Sequence, residues 1–450
     1  MDSLWRLQES EMEERFLKGK EFSGKNTHWD AIVVGAGMAG ILTAYYLKKN
    51  GKNVLILEAG KIASGQTEKT TAKITSQHGL KYEKLIRKLG KEKARLYARA
   101  NEEAIDEYEK LILERNIPCK FERVDAYLYT CKNEKLLGKE MEAAAELGIE
   151  TIFSKNTELP FEVVAAVGFK NQAQFSPLEF LNGIIAELDI LENSMVTEIK
   201  GNWVISNHGI MTADNIVIAT HYPIKNVPGF YFLRQHQERS YAIAFSGCSP
   251  IKNMYYGIDS DGLSFRQVAD TLIVSGMSHR TGEKHGRCVD KYKELFDRVK
   301  ELYPNCKVEA YWSAQDCMPH DGIPFIGKYS ILTSNLFVAS GFQKWGMTTS
   351  MVAAKILSDQ ICGKENPYQK LFSPQRFFFR AGITNFLIDV VESITNLFFG
   401  IFCKKKCSHM GCKLVWNSTE QSWDCPCHGS RFDANGVLLD NPAQRDIKNK

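Results

Sequence analysis

The sequence predicts a mixed α/β (α+β) chain of two or three folded units, and three observations support that prediction. A strand, a glycine-rich turn and a helix begin at about residue 31. Short β-rich runs alternate with loops and a few helices from about 120 to 330, and five of the twelve cysteines crowd between residues 403 and 427. At 450 residues the chain is too long for a single small core.

The charge balance and the distribution of cysteines bear on the expected partners and on the cellular compartment. The chain has 57 basic and 53 acidic residues, and no basic stretch is interleaved with aromatic side chains, so nucleic acid is not an expected partner. Residues 1–28 form a polar, charged lead-in without the apolar segment of a secretory signal. The cysteines outside the C-terminal group are scattered, as reduced thiols are in cytosolic enzymes. We therefore expect a cytoplasmic protein.

The first glycine-rich turn has the features of a dinucleotide site. Gly35 permits a tight turn after the strand, Gly37 lets the backbone approach a pyrophosphate, and Gly40 lets the helix pack closely on the strand. The N–H groups at the helix start, at Met38 and Ala39, stabilise phosphate charge. Glu58 ends the second strand, 18 residues beyond Gly40, where a carboxylate can bind ribose hydroxyls.

A second strand–glycine–helix turn lies almost 300 residues later and favours FAD over NAD. Its helix N-terminus can face the electron-rich end of a flavin ring and stabilise the anionic reduced flavin through backbone N–H groups. A pyridine-nucleotide-dependent reductase is less favoured, because only one glycine-rich fingerprint is present and FAD uses it. The cofactor-binding residues predicted in this turn are Gly341, Lys344, Trp345, Gly346, Met347 and Thr348.

These segments together resemble the D-amino-acid-oxidase (glycine/sarcosine oxidase-like) flavoprotein family. The resemblance spans about residues 29–372 and includes the turn at 35–40 with Glu58, the segments Thr70-Thr71-Ala72-Lys73 and Gln77-His78-Gly79, residues 216–220, and SGFQKWGMT at 340–348. It implies FAD in a Rossmann-type domain within residues 29–375, with Thr70, Thr71 and Ala72 among its contacts. It also implies an inserted β-sheet substrate domain, from about 120–180 and 225–325. Family members oxidise amines or amino acids by removing a hydride from the carbon that bears nitrogen.

Two departures limit what this resemblance implies. Sarcosine-oxidase-like members hold the substrate carboxylate with a basic residue just after the final glycine turn, where this chain has Thr348. They also attach FAD to a cysteine, but Cys317 is offset by a few residues, so we predict non-covalent FAD. Arg266, His279, Tyr241 and Tyr256 are pocket candidates that fit structural roles better, and no catalytic residue is predicted.

Residues 376–403 predict an amphipathic linker helix. Apolar side chains recur at helical spacing from 383 to 402, but Asp389, Glu392 and Asn396 interrupt them, and a continuous apolar run of about 20 residues is lacking. Docking against the body of the protein is the favoured interpretation. The alternative is contact with a membrane surface through 383–406, aided by the lysines at 404–406.

The C-terminal cysteines and histidines have metal-ligand spacing. Cys407-x-His409 is followed, after fifteen residues, by Cys425-x-x-His428, the pattern of a Rieske site. There, two cysteines hold one iron and two histidines the other in a 2Fe-2S cluster, with a higher potential than an all-cysteine cluster. Structural zinc is the alternative, but six candidate ligands exceed the four that zinc needs.

The resemblance to Rieske proteins of respiratory and photosynthetic cytochrome complexes implies further roles. Cys412 and Cys427 correspond to a pair that forms a disulfide there, although a cytosolic setting opposes stable disulfides. Ser430 matches a hydroxyl that donates to a cluster sulfur. Phe432 stands where those proteins often have tyrosine, which predicts a somewhat lower potential. Residues 404–450 are too few for a full Rieske domain and predict a shortened, β-rich module.

The fused arrangement resembles a bacterial family of FAD-dependent oxidoreductases. We predict a dehydrogenase that oxidises a small amine or amino-acid-like substrate and passes electrons from FAD through the Rieske cluster to an external acceptor. The alternative is an electron-transfer or redox-sensing protein without its own small-molecule substrate.

Overall fold

A computed structural model describes residues 2–10, 28–283, 290–376, 379–401, 403 and 405–447. The strands in these residues form three β-sheets. The sheets contain eight, nine and four strands. In chain order the strands are β1 His28–Val34, β2 Val54–Leu57, β3 Lys73–Ile74, β4 Glu122–Thr130, β5 Thr151–Ser154, β6 Ala165–Gln174, β7 Asp189–Leu191, β8 Val196–Lys200, β9 Trp203–Ser206, β10 Gly209–Ile218, β11 Gln235–Ser246, β12 Met254–Gly257, β13 Ser264–Val268, β14 Thr271–Arg280, β15 Lys307–Pro319, β16 Phe325–Lys328, β17 Leu336–Ser340, β18 Val415–Asn417, β19 Ser422–Asp424, β20 Arg431–Asp433 and β21 Leu438–Asp440.

Helices cover the first sheet and connect it to the second. The described α-helices are α1 Leu4–Ser10, α2 Met38–Lys49, α3 Tyr82–Leu89, α4 Lys91–Arg115, α5 Glu134–Glu146, α6 Pro177–Ile185, α7 Lys291–Leu302, α8 Gly346–Ile361, α9 Gln369–Phe372 and α10 Phe379–Ile401. Helices α3 and α4 together span residues 82–115, and both bury apolar side chains at helical spacing.

The first sheet brings the two glycine turns to one edge. Its strand order is β16-β17-β10-β1-β2-β7, and the pairs from β17 to β7 are parallel. Strands β1, β2 and β17 are almost wholly buried, as expected of a parallel sheet covered on both faces. Because parallel strands end at the same edge, the turn after Val34 and the turn after Ser340 lie side by side.

The second sheet takes its strands from residues 122–174 and 235–319, with β3 added at one end. Its order is β15-β11-β14-β13-β12-β4-β6-β3, and β5 pairs with β6. The long strands β11 and β15 pair antiparallel along their whole length, from Gln235 opposite Pro319 to Ser246 opposite Lys307. Successive side chains on these strands therefore point alternately to the two faces of the sheet.

The third sheet is a small antiparallel meander, β18-β19-β20-β21. Its apolar core is small and includes four cysteines; the buried members are Cys407, Cys412, Leu414, Cys425, Cys427, Phe432, Ala443 and Ile447. A core of this size gives little independent stability, so the module depends on contacts with the rest of the chain.

The N-terminal residues differ from the polar lead-in that the sequence predicts. Helix α1 packs into the main core through Leu4 and Trp5, and the Trp5 side chain is only 1% exposed. Its indole Nε1 donates to the carbonyl of Thr70 at 2.7 Å. Residues 11–27 lie outside the described residues.

Helix α10 docks on the body mainly through its polar face and exposes most of its apolar one. Asp389 and Gly400 are buried, whereas Leu387, Val391, Ile394 and Phe398 are between 54% and 64% exposed. Docking is therefore observed, and it involves only part of the apolar stripe: the Phe386 ring lies against that of His320, with ring centroids 6.1 Å apart. Among the described helices, none combines the length and the apolar character that crossing a bilayer requires.

Candidate functional site: a nucleotide cavity and a cysteine–histidine cluster

The first glycine turn has the close backbone contacts that its motif predicts. Gly35 has a φ of +109°, and a Cβ there would lie 2.6 Å from the carbonyl oxygen of Ala219. A Cβ on Gly40 would lie 1.9 Å from the carbonyl oxygen of Gly35, so only glycine permits this packing of α2 on β1. Helix α2 begins with Gly37 as its N-cap, and the backbone N–H of Met38 donates to Thr67 Oγ1 at 2.9 Å.

Glu58 lies at the end of β2 beside this turn. Its carboxylate accepts hydrogen bonds from the backbone N–H groups of Ala36 at 2.7 Å and Gly60 at 2.8 Å. Burial raises the pKa of Glu58, while these backbone bonds oppose the rise. The carboxylate is therefore fixed in position at the cavity edge, where the sequence predicts a ribose contact.

A cavity of about 940 Å³ connects the two glycine turns. All but four of the predicted cofactor residues line it, namely Gly35, Gly37, Met38, Ala39, Glu58, Thr70, Thr71, Lys344, Trp345, Gly346 and Met347. The four others support the wall. Gly40 and Gly341 permit close packing, Ala72 has a φ of +55°, and Thr348 Oγ1 donates to the carbonyl of Thr75 at 2.9 Å.

The pocket candidates separate into one cavity residue and three structural ones. Tyr256 lines the cavity. Arg266 is buried and donates to the carbonyls of Ala72 and Phe175, and Tyr241 bonds His279 at 3.1 Å. These contacts agree with the structural roles that the sequence favours.

Three residues on the cavity wall have ionisable side chains whose functional potential the sequence does not predict. Burial lowers the pKa of Lys73 to about 7, and burial raises the pKa of Asp316 to about 7. Although burial alone would lower it, the pKa of Lys344 is raised, because Tyr256, Asp316 and Glu238 surround the amine. The turn motif predicted Lys344 only as a nucleotide contact.

The four thiols of the C-terminal loops converge. The sulfur atoms of Cys412, Cys425 and Cys427 lie within 4.8 Å of one another, and Cys407 hydrogen-bonds to Cys425. Cys412 and Cys427 are separate thiols in this structure, so their disulfide stays a prediction. Ser430 lies beside Cys407, and its hydroxyl oxygen accepts from the backbone N–H of Ala443 at 3.0 Å.

The two histidines meet beside these thiols. Their ring centroids are 5.1 Å apart with planes at 87°. His409 Nε2 forms a hydrogen bond with Asn226 Oδ1 at 2.9 Å. Among the described residues, the other ring nitrogen of His409, Nδ1, and both ring nitrogens of His428 are buried and have no hydrogen bond of standard geometry. Burial lowers the pKa of His409 to about 4 and that of His428 to about 3. Neutral rings with buried, unsatisfied nitrogens fit metal ligands.

Strands β11 and β15 separate the cavity from the cysteine–histidine loops. On β15, Asp316 and Met318 line the cavity, while the amide nitrogen Nε2 of Gln315 points the other way and donates to the carbonyl of Gly429 at 2.7 Å. On β11, Ser240 faces the cavity and Gln237 Nε2 donates to the carbonyl of His428 at 2.7 Å. Cys317, like Gln315, is absent from the cavity lining, as strand alternation requires.

The C-terminal module also closes one side of the cavity. Residues Leu438–Asp440, Asn441, Ala443 and Gln444 contribute to its lining. Asn441 Nδ2 donates to the carbonyls of Thr220 at 2.7 Å and Tyr222 at 3.1 Å. A salt-bridged contact adds to this, since Arg239 Nη2 lies 2.8 Å from Glu420 Oε2. The two sites therefore share one sheet as a common wall.

Comparison with protein families assigns both sites. The family described as FAD dependent oxidoreductase matches residues 30–360, and the Rieske [2Fe-2S] domain matches residues 401–449. This chain belongs to the FAD-dependent oxidoreductase family. It is an oxidoreductase of the D-amino-acid-oxidase type with a Rieske domain at its C-terminus, and its cofactors are FAD and a 2Fe-2S cluster.

Individual proteins resemble this chain in sequence or in fold. A Bacillus subtilis (strain 168) protein, YhfW, named as a Rieske 2Fe-2S iron-sulfur protein, is 34% identical over 94% of each chain. Glycine oxidase from Geobacillus kaustophilus superimposes with a TM-score of 0.64 at 17% identity, over 78% of this chain and all of that one. L-proline dehydrogenase from P. horikoshii gives 0.66 at 18% identity, over 78% and 98%. At these identities the two structures establish the fold alone.

Proposed function

We propose that this FAD-dependent oxidoreductase is a dehydrogenase that oxidises a small amine or amino-acid-like substrate and delivers the electrons, through its Rieske cluster, to an external acceptor. The observation that carries the proposal is the shared wall of β11 and β15, which has the nucleotide cavity on one face and the loop of His428 on the other. Bound FAD would supply the acceptor for a hydride from substrate, and a bound cluster would supply a one-electron acceptor.

We propose that Gly35, Gly37 and Glu58 hold the FAD nucleotide and that Cys407, Cys425, His409 and His428 hold the iron. The close backbone approach at 35–40 supports the first assignment, and the buried imidazole nitrogens support the second. Cys317 is buried and does not line the cavity, which supports non-covalent FAD.

The charged groups of the cavity support the substrate class. Lys344 offers a cation for a carboxylate, and its position on the wall compensates for the uncharged Thr348. Asp316 offers an acid for an amine, and a pKa raised to about 7 by burial suits a group that exchanges a proton with an amine. The structural neighbours include a glycine oxidase and an L-amino acid deaminase, which adds support for this class.

The test is an anaerobic titration of the full chain, loaded with both cofactors, with candidate amines and amino acids. Flavin and cluster absorbance are followed together, and Cys425→Ser is the matched variant without a cluster. We expect substrate to bleach both centres in the wild type and only the flavin in the variant. Flavin bleaching while the wild-type cluster stays oxidised contradicts internal electron transfer.

An electron-transfer or redox-sensing role without a substrate is the second candidate. It is favoured by the way residues Leu438–Asp440 and Asn441 of the cluster module close one side of the cavity. Failure of every amine, amino acid and hydroxy acid to bleach the flavin, with reduction still achieved by a protein or chemical reductant, would support this candidate over the first.

We further propose that α10 contacts a membrane surface, with the acceptor approaching the cluster nearby. The stripe Leu387, Val391, Ile394 and Phe398 is exposed, and the exposed Lys405 and Lys406 follow it; Lys404 lies outside the described residues. Flotation with anionic vesicles tests this. Val391→Ser with Ile394→Ser should reduce binding, while Ile331→Ser, on an exposed loop, should not. The free thiols of the scattered cysteines support the cytoplasm as the proposed location.

A further inference from the structure

A second group of metal-ligand side chains lies apart from the cysteine loops. His236 is on β11, His320 directly follows β15, and Asp389 comes from α10. The pairing of Gln235 with Pro319 makes the two histidines diagonal neighbours on one face of the sheet. Asp389 Oδ2 lies 3.1 Å from His236 Nδ1 and 3.3 Å from His320 Nδ1, and the three ligand atoms are within 4.8 Å of one another.

The hydrogen bonding of His320 leaves an electron pair directed at Asp389. Its Nε2 lies 3.1 Å from the carbonyl of Leu233, which accepts but cannot donate, so Nε2 carries the proton. Burial lowers the pKa of His320, which favours the neutral ring. Nδ1 of His320 then faces Asp389 Oδ2 as a possible metal ligand. The same oxygen is bonded by His236 Nδ1; burial opposes a raised pKa of His236, but hydrogen bonds to Asp389 and Glu238 raise it, so a bound metal ion would replace the proton on this nitrogen.

We propose that His236, His320 and Asp389 bind one divalent transition-metal ion, with zinc as the best match. Two imidazoles and a carboxylate are a common zinc ligand set, and bonds of about 2.1 Å place tetrahedral ligands roughly 3.4 Å apart. The two nitrogen–oxygen separations here, 3.1 and 3.3 Å, are close to that value. Arg280 bonds the other carboxylate oxygen, Oδ1, and so orients Asp389 while Oδ2 faces the histidines.

The ion would link α10 to the second sheet. Because α10 also contacts the cluster loops, the ion would help to position those loops. The same helix accepts a hydrogen bond at the Asn396 carbonyl from Lys413 N, at 3.0 Å, and a Cβ on Gly400 would lie 2.3 Å from the carbonyl oxygen of Gly411. The inference goes beyond the proposed dehydrogenase function, because it requires neither a substrate nor an acceptor.

Equilibrium dialysis of the full, cofactor-loaded chain against zinc at pH 8 tests the site, with zinc and iron counted in the same sample. The wild type should bind one zinc per chain while its iron is retained. Asp389→Asn and His320→Gln should bind it at least about 10-fold more weakly, whereas His208→Gln, which changes an exposed histidine, should bind as the wild type does. Equal binding by all variants, or zinc uptake only at the expense of iron, overturns the proposal.

A second measurement keeps the test decisive if a variant does not fold. Zinc that binds the folded chain must raise the thermal midpoint of the wild type, and at 100 times Kd the stabilisation is about 2.7 kcal/mol. The expected result is a rise that a chelator reverses. An unchanged wild-type midpoint at saturating zinc also overturns the proposal.

Discussion

The two cofactor sites of this oxidoreductase are built from different parts of the chain. The nucleotide cavity takes residues from Val34 to Gln444, and its tightest contacts are between backbone atoms, such as those at Gly35 and Gly40. The cluster site takes its thiols and imidazoles from two short loops, 407–412 and 425–430, and its chemistry resides in side chains.

Because the two sites are built differently, different kinds of substitution should abolish cofactor binding at each of them. The cavity should be sensitive to added volume near its glycines and tolerant of many side-chain changes. The cluster site should be sensitive to single ligand atoms. A substitution can reach both sites at once on β11 and β15, which form a wall common to both, or within residues 438–444 of the C-terminal module, which line the cavity.

The largest expected effect is the complete loss of one cofactor with retention of the other. Cys425 is wholly buried among the other thiols, so Cys425→Ser should remove the cluster and leave FAD content unchanged. Iron analysis should fall from about two atoms per chain to near zero. Cys362→Ser, at the end of α8, is the control and should keep its iron. An iron-replete Cys425→Ser protein would contradict the ligand assignment.

The converse experiment removes FAD and keeps iron. Gly37 has an ordinary φ of −81°, and a Cβ there would lie 3.2 Å from Thr67 Oγ1, so Gly37→Val should fold and yet obstruct the nucleotide. Overpacking of this kind costs about 1–3 kcal/mol, and a loss of that size in binding weakens FAD affinity roughly 5- to 150-fold. Gly138→Ala, whose Cβ would meet nothing within 4 Å, should bind FAD normally. Fluorescence titration of the apoprotein measures both.

The same contrast explains how much the sequence could predict. The turn at Gly35–Gly40 and the cluster loops can be identified from the sequence, because the residues of each motif lie close together along the chain. Their spacing predicts the strand–turn–helix and the Rieske pattern. Asp316 and Gln237 gain their positions only when β11 pairs with β15, about 80 residues away, so no local pattern identifies them. Trp5 and the outward apolar face of α10 likewise depend on distant packing.

A pH-dependent effect of intermediate size tests the cavity wall. Burial, and then the charge of Arg266, lowers the pKa of Lys73 from 10.5 to about 7. Between pH 7 and pH 10.5 the unfolded chain therefore binds a proton that the folded chain does not, so stability should rise with pH in that range. From pH 7 to pH 9 the gain is about 2 kcal/mol.

Denaturant unfolding of the wild type and Lys73→Met across this range measures the difference. The wild type should become more stable relative to Lys73→Met as the pH rises. Lys69→Met, on the same cavity wall, is the control and should follow the wild-type pH dependence. Parallel curves for the wild type and Lys73→Met would show that the Lys73 amine keeps an ordinary pKa.

The smallest effect should appear at the shared wall itself. Gln237 is 1% exposed and donates to the carbonyls of His428 and Asn441. Gln237→Met keeps the shape and removes both bonds, together with the one that Gln237 Oε1 accepts from Gln315 Nε2 at 2.7 Å. A loss of about 1–2 kcal/mol should make the cluster loop open roughly 10-fold more often. Amide hydrogen exchange at 425–430 measures that opening, and exchange at 35–40 should stay unchanged.

Gln267→Met is the matched control for this substitution, because the side chain of Gln267 donates to the nearby carbonyl of Ala269 and has no other hydrogen bond within the described part of the chain. If Gln237→Met also accelerates exchange at 35–40, the wall transmits disturbance from one site to the other and the sites are not independent. If neither region changes, the module is held by its remaining contacts, among them Arg239 with Glu420 and Asn441 with Thr220. Exchange confined to 425–430 would establish that the wall separates the sites while supporting the cluster loop directly.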